Sequence, residues 1–120
     1  MARTNKDRVS PATPASARGA TPWVSSGVVS AGTVIKNAPG ILGGVIVTAS
    51  DTDGDIDIIV WDSPDATLTS DVELCRVTIT SATDHVQASF SSPSEVGVEA
   101  ENGLYVQIVA GDCEVIVYYR

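Results

Sequence analysis

From Trp23 onward, turn-forming residues recur so densely that the chain between them is cut mostly into lengths that suit strands. The breaks fall at Gly27, Gly32, Asn37 to Gly40, Gly43-Gly44, Asp53-Gly54, Ser63-Pro64-Asp65, Ser81 to Asp84, Ser92-Pro93, Asn102-Gly103 and Gly111-Asp112. Between them the spacing predicts strands over 28–30, 33–36, 42–49, 56–61, 72–80, 86–91, 96–99, 104–109 and 114–119. The longest stretch without Gly or Pro, Asp65 to Ser92, is rich in Thr, Val, Ile and Ser and alternates at Val86, Ala88 and Phe90. β-Branched side chains lose rotamer freedom in a helix and pack well on a pleated surface, so this stretch reads as two strands joined at Ser81 to Asp84.

The closing stretch, Gly97 to Arg120, carries the pattern most clearly. Leu104, Val106 and Ile108 fall on one face and Tyr105 and Gln107 on the other. That is the period of two of a half-buried strand. The run Glu114 to Arg120 has Val115, Val117 and Tyr119 on one side and Ile116 and Tyr118 on the other, a distribution compatible with cover on both faces. The C-terminus is thus expected to be built into a sheet. Short connections imply antiparallel pairing. The expected fold is an all-β antiparallel β-sandwich, jelly-roll-like, of about eight short strands, since that is the strand count of the two-sheet jelly roll.

The 120 residues suffice for one two-layer core. Charge divides the chain. Residues 1–22 carry Arg3, Lys6, Arg8 and Arg18 against Asp7 alone, or +3 of a net charge of −8, leaving −11 on residues 23–120. The first part, with Pro11 and Pro14 and no periodicity able to bury a face, reads as an extended basic arm, and residues 23–120 as the β-sandwich domain. Two readings of the arm stand side by side, a solvated tail and a clasp on a neighbouring subunit; the aromatic Trp23 at the junction favours docking at that end. The acidic body argues against nucleic acid as a partner, because phosphates would be repelled across it. No run approaches a membrane span and no apolar core of a secretory signal precedes the domain, so the reading is no membrane partner and synthesis in the cytoplasm.

Nothing in the sequence composes a catalytic set. The single histidine, His85, lies in a turn beside Asp84 and reads as solvated rather than as the base of a nucleophile. Asp51-Thr52-Asp53-Gly54-Asp55-Ile56-Asp57 has alternating carboxylates, but Ile56 stands where a helix-loop-helix calcium loop needs glycine and Asp62 where it needs glutamate. An Asp-Gly hairpin is the simpler reading, and no metal or other cofactor is assigned. Cys75 and Cys113 have no zinc spacing; they read as small buried apolar residues, with a disulfide across the core as the other possibility. Trp61 is expected to cap one end of the core. Tyr118 and Tyr119 differ in parity, so one ring faces away from its sheet; Tyr118 is the candidate subunit contact.

Two segments together resemble small β-sandwich virion structural proteins of tailed bacteriophages. The first is Leu42-Gly-Gly-Val-Ile-Val-Thr48 leading through a turn to Ile56-Asp-Ile-Ile-Val-Trp-Asp62-Ser63. The second is Gly97-Val-Glu-Ala-Glu-Asn-Gly-Leu-Tyr-Val106 running on to Glu114-Val-Ile-Val-Tyr-Tyr119. The resemblance covers about two thirds of the chain, rests on turn and strand patterns, and leaves out the arm. It implies a non-enzymatic role in the virion, with copies forming a homo-oligomer, a trimer by preference, and with the major capsid protein or other virion proteins as partners. A capsid decoration (cement) protein is the first expectation; a neck, collar or fibre-anchoring protein is the alternative. From a different class, a carbohydrate-binding module is the rival, for which an acidic turn and an exposed tryptophan on a sandwich are a reasonable scaffold. The partner-binding residues expected are Arg3, Lys6, Arg8, Arg18, Trp23 and Tyr118, a basic arm being suited to an acidic neighbour.

Overall fold

The computed structural model describes residues 22–50, 54–69 and 71–120, and among them it is built of strands without a helix. In chain order these are β1 (Val24–Val29), β2 (Thr33–Lys36), β3 (Gly40–Ala49), β4 (Gly54–Asp62), β5 (Val72–Ala82), β6 (Gln87–Ser91), β7 (Val98–Ala100), β8 (Leu104–Ala110) and β9 (Cys113–Tyr119). They form two antiparallel sheets. The first has the order β1-β9-β3-β6, with β7 also on β3; the second has the order β2-β8-β4-β5.

That order is a jelly roll. Strands pair as nested partners: β1 with β9, β2 with β8, β3 with β6 and β7, and β4 with β5, as in one long hairpin. Rolling the hairpin adds the lateral pairs β9 with β3 and β8 with β4 and closes two sheets over one core. Split between the layers, the two halves of each nested level alternate: β1/β9 and β3/β6 lie in one sheet, β2/β8 and β4/β5 in the other.

Period-two alternation fills the space between the layers. Val45, Val47 and Ala49 from β3 and Val115 and Val117 from β9 meet Ile56, Ile58 and Val60 from β4, Val77 and Ile79 from β5, and Leu104 and Val106 from β8. Burying each such aliphatic side chain is worth roughly 1.5–3 kcal/mol. All of these core residues are aliphatic; Phe90 and Tyr119 pack against the cluster from its margin.

The structure departs from the sequence reading in three places. β3 and β4 lie in different sheets and do not pair, so they do not form the hairpin expected at Asp53-Gly54. The first strand begins at Val24, directly after Trp23, and not at Val28. β9 is an interior strand, as its apolar run suggests, but among the described residues no second layer lies on its other face, with Ile116 and Tyr118.

Cys113 on β9 and Cys75 on β5 are both buried free thiols. Burial pushes the Cys75 thiol up from 9.0 to about 11, and the Cys113 thiol moves upward for the same reason. At pH 8 Cys75 of the native protein is therefore expected to react with a thiol-specific disulfide reagent about 100-fold more slowly than after denaturation, on thiolate fraction alone, and Cys113 is also expected to be slowed. Rapid labelling of either cysteine in the native state would show that the core opens there.

Candidate interaction surface

On the uncovered side of the first sheet, strand register sets out rows of side chains. One row runs Val28, Ile116, Ile46, Ser89; the next runs Ser25, Tyr118, Gly44, Ser91; a third holds Glu114, Thr48 and Gln87. In these rows Glu114 is the one carboxylate and there is no base, on a domain whose net charge is −11. Val28 is 60% exposed and Tyr118 37% exposed. Depletion of charge around apolar and aromatic side chains is the composition found at the centre of protein interfaces.

Two irregularities shape this face. Between β9 and β3 the register slips so that Tyr118 faces Gly44 while Tyr119 faces Leu42, leaving Gly43 as an extra residue in the manner of a β-bulge. Between β9 and β1 a second slip occurs at Gly27, whose φ is 74°, and there the Ser26 hydroxyl accepts the Val117 N–H at 2.9 Å.

The Gly43 bulge seats Trp23. A Cβ at Gly43 would lie 2.7 Å from the indole, and one at Gly97 would lie 2.9 Å from it while also meeting the Leu42 carbonyl at 2.8 Å. Gly97 has φ 94°, so two independent constraints call for glycine there. The Arg120 guanidinium lies 3.9 Å from the centroid of the Trp23 ring, a cation–π contact. Trp23 thus stays 38% exposed yet fixed in position. Beside it opens a cleft of about 640 Å³, with Trp23 and Tyr118 as its aromatic walls, Gly43 to Ile46 as its floor, β6 along one side and Ser94 and Glu95 at the rim.

At the same end of the sandwich as Trp23, where Ala100 pairs with Gly40, a buried carboxylate joins the layers. Asp62, 6% exposed at the end of β4, accepts the N–H groups of Glu101 (3.0 Å), Asn102 (2.7 Å) and Gly103 (3.3 Å). These are the residues by which the chain passes from β7 in the first sheet to β8 in the second. Burial alone would raise the Asp62 pKa; the three backbone donors outweigh it and hold the carboxyl below its usual 3.8. Gly103 has no room for a side chain, since a Cβ would lie within 2.6 to 2.8 Å of Lys36, Ser63 and Pro64 backbone atoms.

Of the acidic run, Asp51, Thr52 and Asp53 lie outside the described residues. Asp55 accepts the Ser81 N–H at 2.9 Å, and Asp57 accepts from Arg76 at 2.7 Å and Thr78 at 3.1 Å. Among the described residues no group of carboxylate, histidine or thiol ligands is placed to hold a metal. His85 is an exposed turn residue with φ 67°, beside Asp84. Trp61 does not cap the core. It lies on the outer face of the second sheet, opposite Tyr105 in register, and its indole N–H donates to Gln107 Oε1 at 2.9 Å. Arg3, Lys6, Arg8 and Arg18 lie outside the described residues. Of the expected partner contacts, Trp23 and Tyr118 are brought to one cleft. Val28, Ile46, the Gly43-Gly44 floor and Glu95 escape sequence reasoning, because no local pattern reveals which strands become neighbours. Compared with protein-family models, with curated proteins and with solved structures, the chain finds no match.

Replacing Asp62 leaves three backbone donors without their acceptor, so Asp62→Ala is expected to lower unfolding stability by about 3 kcal/mol, and Asp62→Asn by less. Because the folded-state pKa is depressed, the carboxylate's contribution is fully present above the unfolded value and is lost as the pH falls through the folded one. The stability gap between wild type and Asp62→Asn, read from denaturant melts, should be full above about pH 5 and close on acidification below 3.8. A gap that does not narrow as the pH falls below 3.8 would contradict this role.

Proposed function

We propose that this chain is a non-enzymatic structural protein of a bacteriophage virion, a capsid decoration (cement) protein that binds the assembled head as a homo-oligomer. The observation that carries the reading is the uncovered face of the first sheet: Val28, Ile46, Ile116 and Tyr118 beside the fixed Trp23, almost without charge on a strongly acidic body. Such a face lets acidic copies approach one another or a capsid surface without bringing their carboxylates together. Architecture adds to this, since jelly rolls recur in viral capsid proteins, although they recur in lectins too and a fold alone does not fix a function. The two segments that resemble tailed-phage virion proteins add further support. They meet in space, for Asp62, which closes the first, binds the Asn102-Gly103 turn of the second.

In this reading the basic arm, residues 1–22, is the part that reaches a neighbouring subunit of the particle. The test is the count of copies per purified particle by quantitative mass spectrometry. Hundreds of copies are expected for decoration; about a dozen would place the protein at the neck, and absence from particles would defeat the virion reading.

A second reading has one specific observation behind it. Trp61 and Tyr105, half-buried side by side on the outer face of the second sheet, form a small aromatic surface of the kind that stacks on sugar rings. A carbohydrate-binding module would bind on a glycan array and lose binding on Trp61→Ala. For the virion reading the expected outcome is an array with no signal dependent on Trp61.

A further inference from the structure

The cleft between Trp23 and Tyr118 has a floor whose size follows from strand geometry. Along β3 it runs from Gly43 to Ile46, about 10 Å, and from Tyr118 on β9 to Ser91 on β6 it spans two strand spacings, again about 10 Å. Its aromatic walls and glycine floor make it a shallow apolar slot. Carboxylates stand beyond both ends: Glu95 at the rim near Trp23, and Glu114 on the same face of β9, four residues from Tyr118 in the opposite direction.

The chain itself contains a segment with the complementary pattern. Residues 8–18 read Arg-Val-Ser-Pro-Ala-Thr-Pro-Ala-Ser-Ala-Arg, a Pro-x-x-Pro core with an arginine outside each end. In a polyproline II helix, three residues make a turn of about 9 Å, so Pro11 and Pro14 would lie on one ridge that matches the length of the slot. Proline ridges are taken up by aromatic-lined grooves elsewhere because the conformation has little entropy left to lose. The small residues around the prolines add no bulk that the shallow floor must accommodate. Arg8 and Arg18 would fall beyond the slot, on the sides where Glu114 and Glu95 stand.

We propose that residues 8–18 of one copy occupy the Trp23–Tyr118 cleft of a second copy. Register decides for a second copy. Val24 is level with Tyr119 and Leu42, and Val28 is level with Ile116 and Ile46, so the cleft lies on the β1 side of Trp23. Only four residues, Gly19 to Pro22, join Arg18 to Trp23, so a copy would have to reverse its chain within them to lay residues 8–18 in its own slot. Sequence charge favours the arm as the occupant, +3 on residues 1–22 against −11 on the domain. The contact joins two different surfaces, arm to cleft, and is therefore heterologous, which closes into a ring such as a trimer or continues from copy to copy. It rests on reading the arm as the reaching segment and is independent of whether the assembly sits on a virion.

The test uses the full-length chain in sedimentation velocity from 1 to 100 µM. Wild type is expected to self-associate, more weakly in 0.5 M salt than in 0.05 M. Pro11→Ala/Pro14→Ala, which changes no residue of the sandwich, should weaken association at least tenfold; so should Glu95→Lys, an exposed surface change, and Tyr118→Ala. Mixing the Pro11→Ala/Pro14→Ala chain, whose cleft is intact, with the Tyr118→Ala chain, whose arm is intact, should give a 1:1 complex that neither forms alone. A wild-type chain that stays monomeric at 100 µM would overturn the proposal. So would association unaffected by the proline changes, the result expected if two copies meet through the Val28–Ile116–Ile46 rows, and so would a mixture that forms no complex. Copy number in particles, which tests the virion reading, is unaffected by any of these results.

Discussion

A carboxylate buried at the end of β4 ties the two layers of this sandwich together at the point where they are hardest to join. When the chain leaves β7 for β8 it must change sheets, and the backbone of Glu101, Asn102 and Gly103 loses its ladder partners just before the chain re-enters the core at Gly103 and Leu104. Asp62 supplies one acceptor group for all three N–H groups. Backbone donors buried without partners are among the costliest defects in a fold, so the side chain substitutes for a strand. Ser63 next to it is fully buried, and Gly103 has no space for a side chain. This one side chain thus caps the crossover from which β8 enters its ladders with β4 and β2.

With that end closed, the outer surface of the first sheet acquires its character from what the topology leaves bare. β9 is interior to its sheet, so its edges are occupied by β1 and β3, but only one of its faces meets the second layer. Ile116 and Tyr118 therefore point away from the core while Val115, Val117 and Tyr119 point into it. The Gly43 bulge and the positive-φ Gly97 let Trp23 settle against the backbone beneath Arg120, converting a flat sheet face into a walled cleft. An aromatic residue held in this way keeps its exposed edge at little further entropic cost on binding, the usual advantage of a preorganised contact.

Much of this was legible residue by residue. Nine strands, their approximate limits, the absence of helix and the inward parity of β8 and β9 follow from turn residues and period two. That β3 and β4 do not pair across Asp53-Gly54 was not legible, because an Asp-Gly pair fits a hairpin and a loop between layers equally well. Nor was the position of Trp61. Its parity opposite Val60 indicates the outer face, yet the apolar run before it and the Pro64 turn after it suggest a core end. For the candidate cleft, Tyr118 and Trp23 were visible as aromatics of the right parity and place, while Ile46, Gly44 and Glu95 come from segments whose pairing no local signal encodes.

The sequence by itself determined the class of fold, the acidic domain behind a basic segment, and which residues of each strand face the same way, because alternation and turn chemistry are properties of neighbouring residues. Tertiary structure alone decided that the strands roll into nested pairs, that Asp62 caps a turn about 40 residues away, and that Gly43 of β3 and Gly97 lie under one tryptophan. Those are contacts between segments distant in sequence. They are selected by how two twisted sheets can bury a common aliphatic core while leaving no backbone donor unpaired, a condition that only the assembled chain meets.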